Sequence, residues 1–321
     1  MVMLENNIES NDMEKDSPPP ILFLIFNRLD EARMVFTKIR EAKPARLYLA
    51  SDGPRTEMVG EEETVKSVRN YVVKNIDWPC KVNTLFREKN LGCRLAVSGA
   101  IQWFFEHEKM GIILEDDCLP STSFFSFCDK MLKTYKDDER VMMISGTNFK
   151  GIWKNYRSSY FFSSFGGIWG WATWRRAWEH YDVKMGLWSE TEIRGLVLKS
   201  ISGFFARYLR KQVYDLTFRN KIDTWDYQWS FSRLCNSGMS VVPSKNLVKN
   251  IGFGEKSTHT VKWPRHFKNT ENLELSFPLK NPKVIVPDKD YDKVFFILGL
   301  RAKTQIFFRL AYEFIVKLFK K

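Results

Sequence analysis

Gly111-Ile112-Ile113-Leu114-Glu115-Asp116-Asp117-Cys118-Leu119-Pro120 is the stretch on which the fold turns. Three apolar residues run straight into three carboxylates, with Gly on one side and Pro beyond. A short apolar run bracketed in this way predicts a buried strand, because it lacks the length for a helical repeat. Acids at the carboxyl end of such a strand fall where open α/β sheets bind ligands. Adjacent carboxylates repel one another, so an ordered cluster needs a compensating cation, either a divalent metal or a salt-bridging Arg or Lys. Oxygen donors suit Mg²⁺ or Mn²⁺, held by one or two carboxylates together with a substrate diphosphate. A solvated acidic turn is the plain alternative.

Upstream, the pattern alternates. Residues 21–26 form a continuous apolar run, the mark of a strand buried on both faces, and it ends at Asn27-Arg28. Asp30 is placed to cap a helix running to about residue 40. Residues 46–50 predict a second strand, which Ser51-Asp52-Gly53-Pro54 breaks. Helical spacing covers 56–74, a third strand covers 81–86, Asn90-Leu91-Gly92 turns, and 95–105 is an apolar helix. Read as four βα units before the acids, this implies an open, mostly parallel α/β sheet flanked by helices.

Downstream, 122–135 predicts a helix and 141–144 a strand. Six Trp then fall between Trp153 and Trp188, among Gly166, Gly167 and Gly170. Helical character returns over 187–219. A further helix opens at Asp223-Thr224-Trp225-Asp226, with Asp223 or Thr224 as its cap, and 239–242 is a short strand. The expected organisation is a disordered acidic tail (1–18), one domain (19–263), an extended linker (264–290) and a basic amphipathic helix (291–321). From Lys293 to the end, Lys293, Arg301, Lys303, Arg309, Lys317, Lys320 and Lys321 stand against Glu313 alone, among Phe and Leu. A wide apolar face with a cationic edge suits a helix lying on an anionic leaflet. Folding back onto the domain is the rival.

Composition bounds the function. The chain has 321 residues, ample for a core, and a formal net charge of +12, which favours an anionic partner. Its five Cys are scattered and form no CxxC, which argues against a zinc site or a disulfide scaffold and for a reducing cytoplasm. No apolar run reaches membrane-spanning length and no leader is expected, so the protein reads as cytoplasmic and peripheral at the inner membrane face.

A parallel sheet, a strand-end acid cluster and an aromatic-rich second half suit glycosyl transfer from a nucleotide-sugar. The leaving diphosphate needs a cation, the sugar needs aromatic and polar contacts, and the acceptor hydroxyl needs a base. The run 23–28, Ser51-Asp52-Gly53, Asn90-Leu91-Gly92 and 112–117 resembles the nucleotide-binding half of GT-A glycosyltransferases of the family-2 kind. Its Glu-Asp-Asp is similar to the acidic motif of N-acetylglucosaminyltransferase I. With Gly-Trp-Ala-Thr-Trp and Trp-Asp-Tyr-Gln-Trp, the order over about residues 19–260 looks like a bacterial set of nucleotide-diphospho-sugar transferases, some labelled hemolytic protein HlpA-like.

The resemblance implies a GT-A fold, an inverting reaction, and a donor pocket of Phe26, Asn27, Arg28, Asp52, Asn90, Gly92, Arg94, Glu115, Asp116 and Trp171. It places Mn²⁺ or Mg²⁺ on Asp117, with His259 as a late second ligand. Asp226, flanked by Trp225 and Trp229, is the candidate general base, and Asp223 is the runner-up. The donor would be a nucleotide-sugar, with a UDP-sugar expected, and the acceptor a glycan or lipid-linked saccharide at an anionic membrane surface. Many family-2 enzymes have Asp where this chain has Glu115, which leaves the sharing of metal contacts open. Two rivals stand. A sugar-phosphate nucleotidyltransferase would want a Gly-rich loop where Asn27-Arg28-Leu29-Asp30 stands. A nucleic-acid binder would want interleaved Arg and aromatics, whereas the basic residues sit at the C-terminal helix, so no nucleic acid is expected as partner.

Overall fold

The computed structural model describes residues 17–155, 157–252 and 271–302, with side chains as far as residue 295. Strands β1 (Ile21–Ile25), β2 (Arg46–Ser51), β3 (Lys81–Phe86) and β4 (Met110–Glu115) alternate with helices α1 (Leu29–Ala42), α2 (Glu61–Lys74) and α3 (Gly92–His107). Three βα units, not four, therefore precede the acids, and β4 delivers them. A short strand β5 (Cys118–Pro120) and helix α4 (Thr122–Thr134) follow, then β6 (Val141–Ser145), β7 (Tyr160–Ser163), β8 (Trp171–Trp174) and α5 (Arg175–Trp178). Helices α6 (Thr191–Ser200), α7 (Phe204–Phe218) and α8 (Asp226–Cys235) precede β9 (Met239–Pro243) and β10 (Val248–Asn250), and α9 (Lys289–Ala302) comes last.

The main sheet has eight strands in the order β3-β2-β1-β4-β8-β6-β9-β7. β1 pairs in parallel with β2 and with β4, β2 with β3, and β6 with β9. β8 runs antiparallel to both β4 and β6, and β7 runs antiparallel to β9. The expected open, mostly parallel α/β sheet flanked by helices is thus present. β5 and β10 form a separate antiparallel ribbon.

Apolar runs without alternation become strands because both faces are covered. Ile21, Phe23 and Ile25 point into the layer holding Val35 and Ile39 of α1, Val68 of α2 and Met131 of α4. Leu22 and Leu24 point the other way, onto Ile101 and Phe104 of α3 and Trp229 of α8. Each such side chain, fully removed from water, contributes about 1.5–3 kcal/mol. A third cluster, including Trp188, Val197, Tyr214 and Phe231, joins α6, α7 and α8.

Several boundaries differ from expectation, each for a local reason. Asp30 lies inside the first turn of α1, and the cap position belongs to Arg28. The helix expected over 187–219 is a 3-10 turn, Gly186–Ser189, followed by α6 and α7, broken at Gly203 with φ 91°. Nothing in the sequence pattern marks the four-residue strands β7 and β8. Neither Asp223 nor Thr224 caps α8, whose cap position is Trp225.

The described part of the expected linker, 271–288, is strapped to the domain. Glu274 accepts hydrogen bonds from the Thr122 amide (3.0 Å) and the Ser123 amide (2.8 Å), capping α4, and Leu275 is buried in the core. The Asp288 amide donates to the Phe162 carbonyl at 2.8 Å. The beginning of α9 is likewise docked. Tyr291 is buried, Asp292 accepts from the Ser163 hydroxyl (2.6 Å) and the Ser164 amide (3.1 Å), and Phe295 stacks on Phe165. The remainder of the basic segment, like the acidic tail through residue 16, lies outside the described residues. Among the described residues no helix is long and apolar enough to cross a membrane.

Candidate active site

β1 and β4 lie side by side, and the chain proceeds from β1 toward β2 on one side and from β4 toward β8 on the other. This is a topological switch point, and the crevice beyond the carboxyl ends of two such strands is where α/β sheets bind ligands. Both predicted motifs emerge there, residues 26–28 from β1 and residues 115–117 from β4.

They are bonded to each other. The Phe26 amide donates to Asp116 Oδ2 at 3.0 Å. Arg28 Nη1 lies 2.5 Å from Asp117 Oδ2 and 3.5 Å from Asp116 Oδ1. Burial works against the Arg28 charge, but the Asp116 and Asp117 charges outweigh it and hold its pKa up. Burial pushes the Glu115 and Asp116 carboxyls well above the ordinary carboxylate range; the neighbouring acids push the same way and Arg28 opposes. The compensating cation that the acid cluster requires is therefore Arg28, one of the alternatives open from the sequence. A Cβ at Gly252 would overlap Asp117 Oδ2, and the Ile251 amide donates to the Asp117 carbonyl at 2.8 Å, so the acids are walled from that side.

Do these residues suit a divalent cation? The donors are hard oxygens, and the Glu115 side chain makes no hydrogen bond or ion pair among the described residues, so its oxygens are available. Asp117 shares its oxygen with Arg28. Among the described residues no three His, Cys, Asp or Glu side chains already converge as a metal site. The donor chemistry fits Mg²⁺ or Mn²⁺, and an arriving cation competes with the Arg28 guanidinium. His259, expected as a second ligand, lies outside the described residues.

The other expected donor contacts divide. Asp52 accepts from the Leu91 amide (2.9 Å) and the Gly92 amide (3.1 Å) through Oδ2, and burial pushes its pKa up against these bonds. Asn90 donates to the Gly53 carbonyl at 2.8 Å. Gly92 has φ +78°, and a Cβ there would sit 2.7 Å from Asp223 Oδ2, so Gly serves both the turn and the close approach. Asn27 donates to Glu61, which Arg55 also holds. These residues ring the switch point, with side chains engaged by the protein itself.

Three expectations are corrected. Trp171 is fully buried, stacked on Trp225 with ring centroids 5.4 Å apart, so its ring cannot touch a ligand; it belongs to a Trp171–Trp178–Trp225–Trp229 core behind Asp226. Asp223 is not a free carboxylate. It accepts from the Cys93 amide (2.8 Å) and the Arg94 amide (3.0 Å), capping α3 from 130 residues away in sequence. The Arg94 side chain, expected to face the diphosphate, donates to Asn220.

Asp226 opens α8 and is partly buried, with Thr224 donating to its Oδ1. Its charge acts on Glu115, on Cys93 and on the phenol of Tyr181. Sequence reading missed Tyr181, whose hydroxyl donates to the Trp225 carbonyl at 3.3 Å. It also missed Arg69, whose guanidinium binds the Asp52 carbonyl (2.7 Å) and the Arg87 carbonyl (2.8 Å) and fixes the Asp52 turn. Neither carries a local sequence signal, since each acts through a partner distant in the chain.

No protein-family profile matches the chain, and no curated protein does. Solved structures that resemble it include a mannosyltransferase from Pyrobaculum calidifontis in complex with GDP-Man and Mn²⁺. That pair is 12% identical over 68% of this chain and 70% of that one, with a TM-score of 0.39. Mouse xyloside xylosyltransferase 1 is 11% identical over 66% of this chain and 79% of its own, with a TM-score of 0.32. HddC from Yersinia pseudotuberculosis is 10% identical over 49% of this chain and 77% of its own, with a TM-score of 0.30. The likeness is to parts of a fold.

Proposed function

We propose that this chain is a GT-A glycosyltransferase that moves a sugar, with inversion, from a nucleotide-sugar to the hydroxyl of a glycan or lipid-linked saccharide. The observation that carries this reading is the meeting of residues 26–28 with Glu115, Asp116 and Asp117 at the β1/β4 switch point. In this reading Phe26, Asp52 and Asn90 border the nucleotide. Asp117 would hold Mn²⁺ or Mg²⁺ with the free Glu115 carboxylate beside it. When bound, such an ion supplies charge neutralisation for a departing diphosphate. Asp226 takes the acceptor proton as the hydroxyl oxygen attacks the anomeric carbon, the task of a positioned base. The Trp core behind it fixes its backbone, and Thr224 orients its carboxylate. The segment beyond α9 brings the domain to an anionic membrane face, where its basic residues meet lipid headgroups.

The test is a thermal-shift panel of nucleotide-sugars, with and without Mn²⁺, on the intact chain and on Asp117→Asn. A Mn²⁺-dependent rise with one nucleotide-sugar, lost in Asp117→Asn, is expected. No response to any nucleotide-sugar removes the transferase reading. Release of pyrophosphate from a sugar phosphate and a nucleoside triphosphate would replace it with nucleotidyl transfer.

A further inference from the structure

Beside the first turn of α3 lies a cleft of about 370 Å³, lined by Arg94, Leu95, Val183, Lys184, Phe218 and Asn220. Its size falls within the range of small-molecule sites, about 300–1,000 Å³. Its walls are of two kinds. Leu95 and Phe218 are exposed apolar side chains, 45% and 38% accessible. Arg94 and Lys184 are cations, and no acidic side chain lines the cleft. Arg94 is held toward it by Asn220, and its Nε is buried without a hydrogen-bond partner.

The cleft connects to the candidate base. Asp223 takes the Arg94 amide at 3.0 Å and lies three residues before Asp226 in the loop leading to α8. Tyr181, two residues before Val183, bonds the Trp225 carbonyl, and its phenol feels both Asp226 and Arg94. Through Asp223 and Tyr181 the cleft is thus tied to the loop that carries Asp226.

We propose that this cleft is the acceptor subsite and that it takes an amphiphile with a phosphate headgroup, the carrier end of a lipid-linked saccharide. Leu95, Val183 and Phe218 cover the first carbons of the chain, and Arg94 and Lys184 pair with the phosphate. An uncharged glycan would leave both cations unmatched, and a free phosphate would leave the apolar wall in water. The proposal rests on the transferase reading, because it makes the cleft's occupant a substrate.

The experiment is a fluorescence titration of the full chain with geranyl phosphate, with geraniol and inorganic phosphate as controls and UDP with Mn²⁺ in parallel. Geranyl phosphate is expected to bind at least tenfold more tightly than either control. Lys184→Glu and Leu95→Ser should each weaken it tenfold or more without changing UDP binding. Lys184 is solvent-exposed, so that variant keeps its fold. Equal binding of geraniol, equal binding of inorganic phosphate, or wild-type affinity in both variants overturns the proposal. A chain that binds geranyl phosphate in this pattern but no nucleotide-sugar keeps the cleft and loses the transferase. The converse result loses the cleft alone.

Discussion

Asp223 and Asp226 lie three residues apart and do different work. Asp226→Asn preserves size and hydrogen bonding but cannot take a proton. Donor binding should survive, and transfer at saturating donor should fall about 10²–10⁴-fold, the worth of a general base. Near wild-type transfer by a folded Asp226→Asn would move the base elsewhere. Asp223→Ala removes the cap of α3 and should lower the urea-unfolding free energy by about 0.5–2 kcal/mol, a readout that a base would not move. Arg28→Gln leaves Asp116 and Asp117 without their cation, a loss of about 3–5 kcal/mol for a buried pair. Mn²⁺ should restore part of that stability; no Mn²⁺ response in this variant would take the metal off Asp117. The raised carboxyls also set a pH dependence. The folded chain keeps protons on Glu115 and Asp116 that the unfolded chain releases, so metal-free stability should fall as pH rises above the ordinary carboxylate range, about pH 4. Denaturant midpoints at pH 5 and pH 8 measure this, and a higher midpoint at pH 8 would contradict it.

At the scale of elements, β1 to β4, α4, β6 and β9 were legible because continuous apolar runs and Gly or Pro breaks are local signals. β7 and β8 were not. Each has four residues, and Trp171-Ala172-Thr173-Trp174 carries aromatics that serve equally as a core or as a ligand wall. The switch-point residues could be named, but their partners could not, since Asp223 reaches α3 across 130 residues and Arg28 reaches Asp117 across 89. α9 shows the same limit. Its composition marks an amphipathic helix, while the burial of Tyr291 against Trp153 and Phe161 is tertiary. Ending the chain at residue 302 should therefore leave a folded domain that binds nucleotide and no longer binds anionic vesicles. Ending it at 288 should destabilise the domain by several kcal/mol, since removing one buried aromatic costs about 3–5. Retained vesicle binding at 302 would deny the membrane role of the distal segment.

For the whole molecule, the sheet divides into a local half and a distant half. β1 to β4 and their helices come from one continuous stretch, whereas β8, the next strand in the sheet, begins 56 residues after β4 ends, by subtraction of Glu115 from Trp171. Until Trp171–Trp174 arrives, β4 is the open edge of a growing sheet, with Ile112 and Ile113 along it. An uncovered apolar strand edge invites pairing with another chain, and contacts of high sequence separation form late. A chain cut short before residue 171 should consequently aggregate during expression, while one extended through β10, which supplies β8 to β4 and β9 to β6, should not. The antiparallel insertion of β8 makes the first half of the protein hostage, on the ribosome, to the second.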